Sequence, residues 1–171
     1  DVLVSVATTL GSEEQGSFAG ITVHCGRLTP DEMAALVQRA DLCVDATHPY
    51  AVDATRNIRT ACRTAGVEYH RLLRAQSPLP AGSMVFQSAA HVADFLVQTQ
   101  GNVLLATGAK ELPAFAQLAP ERLYPRVLPT LDGIAACEAA HIPHKNILAL
   151  QGPFSYALNR ALLEQFSIRF L

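Results

Sequence analysis

"LCVDATHPYAVDATRNIRTACRTAGVEYHRLL" (residues 42–73) holds one complete structural unit. Leu42–Asp45 is a short apolar run ending in a carboxylate, the pattern of a strand covered on both faces. From about Ala51 to Ala65 the spacing predicts a helix. Ile58, Ala61, Cys62 and Ala65 fall on its inner face, and Gly66 closes it. A second strand is predicted over Tyr69–Leu73. Strand, helix and strand at this spacing imply a parallel pair with the helix as crossover.

The alternation continues in both directions. Strands are predicted at Val2–Val6 and Ile21–Cys25 upstream, and at Met84–Gln87, Val103–Ala106, Leu123–Leu128, Ile147–Leu150 and Ile168–Leu171 downstream. "TPDE" (29–32) is a capping box, with Thr29 as N-cap, Pro30 at the first helical position and Glu32 at the third. Met33, Leu36, Val37 and Ala40 then share one face. Ser88 can cap a third helix with Val92, Phe95 and Leu96 inward. Further helices follow "TGAKE", "LPT" and "GPFS", the last capped by Ser155. The break "QTQGN" (98–102) divides the chain, so two lobes are expected, 1–99 and 100–171. The fold class is α/β: two Rossmann-like lobes with mostly parallel sheets.

Of the 171 residues, 50% are hydrophobic and 16% are charged, which is the composition of a packed globular chain. The net charge of −2 and the absence of Trp argue against a nucleic-acid partner. No apolar stretch approaches the roughly 20 residues of a membrane span, and no signal-peptide pattern is present. Cys25, Cys43, Cys62 and Cys137 show no close pairing and read as reduced thiols, so a cytoplasmic protein is expected. His141 and His144 lack a third ligand nearby, and no metal is expected. The sequence carries no signal for oligomeric state.

Open parallel sheets present ligands at the carboxyl ends of their strands. There each loop leads into a helix N-terminus with free N–H groups. Five loops qualify: "SVATT" (5–9), "GRLTP" (26–30), "ATHPYA" (46–51), "TGAKE" (107–111) and "QGPFS" (151–155). Next to the third, Asp45 can bond backbone N–H groups and Pro49 can start the helix. Thr47, His48 and Tyr50 offer more donors and acceptors than one turn consumes, and point to a ligand. Thr107, Gly108 and Lys110 suit a phosphate or carboxylate, and equally an N-cap with a solvated first turn. Gly26 and Arg27 suit the anionic part of a nucleotide or a plain turn. Gly152 and Pro153 turn the backbone ahead of Ser155, with Gln151 and Phe154 at the same rim. Arg71, Arg74 and Arg126 lie near strands and would together suit a substrate carrying many carboxylates. G-x-S-x-G, H-E-x-x-H and G-x-G-x-x-G are all absent.

"SVATTLG", "GRLTPDEM", "VDATHPYA", "RNIRTAC", "YHRLLR", "LLATGAKEL", "LYPRVLP" and "QGPFSYALNRALL" follow one another in an order that resembles the precorrin-6A reductase family of cobalamin biosynthesis. The likeness covers nearly the whole chain and is most specific in "DATHPYA" and in "GPFS" with its following Asn159. It implies two Rossmann-like lobes with the active site in the cleft between them. It implies NADPH as hydride donor and precorrin-6A, or its cobalt-containing form, as substrate, with precorrin-6B as product. Family members begin with a further strand and a Gly-Gly-Thr loop and continue past the last strand seen here, so the chain is expected to be the interior of a longer protein. Carried over by position, Ser5, Ala7, Thr8, Gly26, Arg27, Ala46 and Thr47 are expected to bind the cofactor. His48 and Tyr50 are expected at the reacting centre. Arg74, Thr107, Gly108, Lys110, Arg126, Gln151, Gly152 and Ser155 are expected to bind the tetrapyrrole. From other classes, the same loops would also suit a non-catalytic small-molecule binder or a different nucleotide-dependent enzyme.

Overall fold

The computed structural model describes residues 1–75 and 77–171. The chain separates into two compact units, Asp1–Pro78 and Leu79–Leu171. The first contains β1 (Val2–Val6), α1 (Thr9–Gln15), β2 (Ile21–Cys25), α2 (Pro30–Val37), β3 (Leu42–Asp45), α3 (Val52–Ala65) and β4 (Glu68–Arg71). The second contains α4 (Ala89–Val97), β5 (Asn102–Leu105), β6 (Leu123–Val127), α5 (Leu131–Ala139), β7 (Leu148–Ala149), α6 (Tyr156–Gln165) and β8 (Ile168–Phe170). Short 3-10 turns cover Ala109–Phe115, Pro120–Arg122 and His144–Asn146. All strand pairings among the described residues are parallel: β1 with β2, β3 with β4, and a four-stranded sheet in the order β7-β6-β5-β8. This is the α/β, mostly parallel class expected from the alternation.

Local sequence accounts for most of the helix starts. Hydroxyl oxygens of Thr8, Thr29, Ser88, Thr130 and Ser155 accept the first free N–H groups of α1, α2, α4, α5 and α6. At Thr29 the full capping box forms, with the Glu32 carboxylate returning to the Thr29 N–H at 2.8 Å. α3 differs: it begins at Ala51 with no side-chain cap.

The main apolar core lies in the second unit. Val103 and Leu105 of β5 and Leu123 and Val127 of β6 meet Ala93 and Leu96 of α4, Leu112 and Phe115 of the 3-10 turn, and Cys137 of α5. Asn146 is buried beside it, and its amide donates to the carbonyls of Glu121 and Leu123 at 3.0 and 3.2 Å. α5 packs close to the end of β6 through Gly133, where an added Cβ would sit 2.6 Å from the Leu128 carbonyl oxygen. Gly133→Ala is therefore expected to cost about 1–3 kcal/mol by overpacking. A thermal midpoint equal to that of the parent chain would contradict this.

Several expectations are revised. The unit boundary falls at 78/79, ahead of "QTQGN", because α4 turns Ala93 and Leu96 into the core of the second unit. Met84–Gln87 is not a strand. Met84 and Val85 are exposed, and Phe86 instead stacks on Phe95 with ring centres 5.5 Å apart. The segment after "TGAKE" forms a 3-10 turn rather than an α-helix, since Pro113 falls inside it and offers no N–H. It begins at Gly108, whose φ of 84° suits glycine, and Thr107 does not cap it. β4 stops at Arg71, short of the predicted Leu73. All four cysteines are free, and Cys25 is exposed. Burial, with Cys62 alongside, pushes the Cys43 thiol up to about 12, so it stays protonated and unreactive.

Candidate functional site

In the parallel register of β3 and β4, Asp45 lies opposite Arg71 where both strands end. Asp45 is only 2% exposed. Its Oδ1 accepts from the Thr47 N–H at 3.0 Å, the Thr47 hydroxyl at 2.8 Å and Arg71 Nη1 at 2.5 Å. Its Oδ2 accepts from the Tyr69 hydroxyl at 2.9 Å. Burial opposes the charge, but the hydrogen bonds from Thr47 and Tyr69 outweigh it and hold the carboxyl below its usual range. Arg71 Nη1 also reaches the Asp45 carbonyl at 3.1 Å and the Thr47 hydroxyl at 2.9 Å. Arg71, read from sequence as one of three arginines for a carboxylate-rich ligand, is therefore committed inside the protein.

The loop that follows carries His48 and Tyr50, both exposed. Their ring centres are 5.1 Å apart. The Tyr50 N–H donates to His48 Nδ1 at 3.3 Å, which leaves the ring proton of neutral His48 on Nε2. The Ala51 N–H donates to the His48 carbonyl at 2.8 Å and closes the turn. Ala46, Thr47, His48 and Pro49 form one wall of an open recess of about 260 Å³, and Leu72, Leu73 and Arg74 form the other. Leu72 and Leu73 were not singled out from sequence. In sequence they are only an apolar pair inside "HRLLR"; their exposure follows from β4 ending at Arg71.

The other expected residues fall at neighbouring strand ends. β1 and β2 are paired through Val6 and Cys25, which places Ala7–Thr8 beside Gly26–Arg27. Ser5 is exposed on β1, and the Thr8 oxygen is occupied as the cap of α1, accepting from Gly11 at 3.1 Å. Gly26 has φ 134° and donates its N–H to the Val6 carbonyl at 2.9 Å, leaving Arg27 exposed. In the second unit, Thr107, Gly108 and Lys110 follow β5, with Thr107 and Lys110 exposed. Arg126 on β6 is half-buried. It donates to Asn159 Oδ1 at 2.8 Å and lies 4.4 Å from the centre of the Phe154 ring. Arg126 thus meets the loop containing Gln151 and Gly152. Ser155 ends that loop and caps α6 by accepting from Leu158 at 3.1 Å.

A family model described as "Precorrin-6x reductase CbiJ/CobK" matches residues 1–171. The chain belongs to this family. Similar relatives include the cobalt-precorrin-6A reductase of Priestia megaterium, 33% identical over 98% of this chain and 68% of its own length. That of Salmonella typhimurium is 36% identical over 95% of this chain and 64% of its length. The precorrin-6A reductase of Mycobacterium tuberculosis is 32% identical over 93% of this chain and 60% of its length. The chain thus spans roughly two thirds or less of these precorrin-6x reductase relatives. A solved structure, CobK precorrin-6A reductase, superposes with a TM-score of 0.68 at 21% identity, covering 97% of this chain and 74% of that one. At that identity it supports the fold alone. No helix among the described residues is long and apolar enough to cross a membrane.

Proposed function

We propose that this chain is part of an NADPH-dependent reductase that converts precorrin-6A to precorrin-6B. The recess at the ends of β3 and β4 carries this reading within the family. It gathers an imidazole, a cation and an apolar wall at the end of a parallel sheet, with the Tyr50 ring tilted at 56° against the imidazole.

The first unit suits a phosphorylated nicotinamide cofactor. The end of β1 carries no carboxylate between Ser5 and Thr9, where an acid would repel a 2′-phosphate. Exposed Arg27 follows the adjacent β2 and supplies the countercharge. Gly26 lets the backbone approach closely, and Ala46 contributes loop backbone. Bound NADPH supplies the hydride. His48, once Nδ1 has taken up a proton and released the Tyr50 N–H, is the imidazolium that gives its Nε2 proton to the other end of the reduced double bond, and the Tyr50 phenol or a water is the rival donor. Arg74 pairs a substrate carboxylate, while Leu72 and Leu73 take an apolar face of the macrocycle. Within the second unit, Lys110, Thr107 and Gly108, and the cluster of Arg126, Gln151, Gly152 and Ser155, offer charge and hydrogen-bonding groups suited to carboxylates. The names of the Priestia and Salmonella relatives favour a second reading, the cobalt-containing macrocycle.

The test mixes full-length protein with NADPH and either macrocycle and follows the nicotinamide absorbance. Oxidation in one arm also identifies the substrate. If NADPH binds without oxidation in either arm, a binding protein replaces the reductase reading. Arg74→Ala is expected to raise KM for the macrocycle about tenfold, the loss of one charge-assisted contact. Its thermal midpoint should not move, because Arg74 is exposed. An unchanged KM would remove Arg74 from the site.

A further inference from the structure

We propose that Asp45, Tyr69 and Arg71 are positioning residues that hold loop 46–50 in the shape forming the recess, and that Thr47 serves this network rather than the ligand. The proposal depends on the reductase reading only for its kinetic readout.

None of the three lines the recess, yet they sit directly behind both walls. Ala46–Pro49 follows Asp45, and Leu72–Arg74 follows Arg71. One guanidinium nitrogen, Arg71 Nη1, spans three acceptors on two residues: Asp45 Oδ1, the Asp45 carbonyl and the Thr47 hydroxyl. Arg71 Nη2 reaches toward the His48 carbonyl at 3.5 Å. The Arg71 side chain is 12% exposed and that of Asp45 is fully buried, so water competes little for these contacts.

Thr47 decides the division of roles. A hydroxyl has one proton and two lone pairs. The Thr47 proton goes to Asp45 Oδ1 at 2.8 Å, and its oxygen accepts from Arg71 at 2.9 Å and lies 3.2 Å from the Thr55 hydroxyl. No capacity remains for a ligand. The loop beyond depends on this anchor. The Ala51 N–H closes onto the His48 carbonyl, and the Tyr50 N–H fixes the His48 ring through Nδ1. The orientation of the exposed imidazole is thus set by contacts that the network makes 23 to 26 residues further along the chain.

Arg71→Lys keeps the charge, but its ammonium ends about where the guanidinium carbon lies, one bond short of Nη1, and it has no counterpart of Nη2 for the His48 carbonyl. Tyr69→Phe removes one hydrogen bond and keeps the ring, and it carries the test should Arg71→Lys fail to fold. Both are made in the full-length protein and read two ways. Amide hydrogen exchange at Thr47 and Ala51 is expected to accelerate at least tenfold in Arg71→Lys, and less in Tyr69→Phe, while amides in the β3–β4 ladder keep their parent rates. NADPH-dependent turnover is expected to fall at least tenfold in kcat in Arg71→Lys, with the thermal midpoint little moved. Unchanged exchange at Thr47 and Ala51 in both variants overturns the proposal. So does uniform acceleration across the first unit, which is what a merely stabilising network would give. A loosened loop with parent kcat also overturns it. Should the parent protein oxidise no NADPH with either macrocycle, the reductase reading falls, and the exchange measurement alone decides the positioning role.

Discussion

Asp45→Ala is expected to destabilise the first unit by about 3–5 kcal/mol, the usual cost of removing one partner of a buried ion pair. The carboxylate satisfies Arg71, Tyr69 and Thr47 together, so its loss strands a largely buried guanidinium and a phenol at once. Chemical denaturation followed by circular dichroism measures the loss. Asp45→Asn, which keeps acceptor oxygen but no charge, should fall between Asp45→Ala and the parent chain. The acid limb gives a second readout. A carboxyl held below its ordinary value of about 3.9 stabilises fully above that value, and the contribution fades as pH falls through the lowered native value. Asp45→Asn should therefore flatten the acid dependence of stability. A parent-like acid limb in this variant would show that other carboxyls dominate it.

Phe115→Ala should cost a similar amount, about 3–5 kcal/mol, for a different reason. Phe115 is 1% exposed and sits on a 3-10 turn between β5 and β6. Its neighbours in the core include Leu112 and Leu118 of its own segment and strand residues that cannot follow it inward. A cavity therefore remains in addition to the lost transfer energy. Calorimetry should show a clear drop in the unfolding midpoint, and Phe115→Leu should recover much of it. A loss under about 1 kcal/mol would mean that the turn collapses into the space.

Much of the fold was legible because it is written locally. A hydroxyl three residues ahead of the amide it caps, or an apolar run between turns, needs no knowledge of distant chain. Thr29–Glu32, Ser88 and Ser155 were readable on those terms. Met84–Gln87 misled because a strand is defined by a neighbour, and three apolar residues name none. "TGAKEL" misled because Pro113 lies far enough inside the turn to look like a following residue. At the site, the loop was legible and the roles were not. Thr47 and Arg71 look like free donors in sequence. They are committed because parallel pairing sets Arg71 against Asp45, a register that no local pattern encodes. Leu72 and Leu73 were overlooked for the same reason: where β4 stops depends on how far its partner runs.

The missing cap of α3 has a consequence for the order of assembly. The five helices that start on a threonine or serine carry the acceptor for their first turn on a residue next to that turn in sequence. α3 starts at Ala51 with no such aid. Its entry is fixed from behind by the Thr47–Thr55 contact and by an Asp45–Arg71 bond that closes a loop of 26 residues. Closing that loop costs entropy before any bond rewards it. The first turn of α3, and with it the loop bearing His48 and Tyr50, should therefore be among the late events of folding, formed only once β3 and β4 have met.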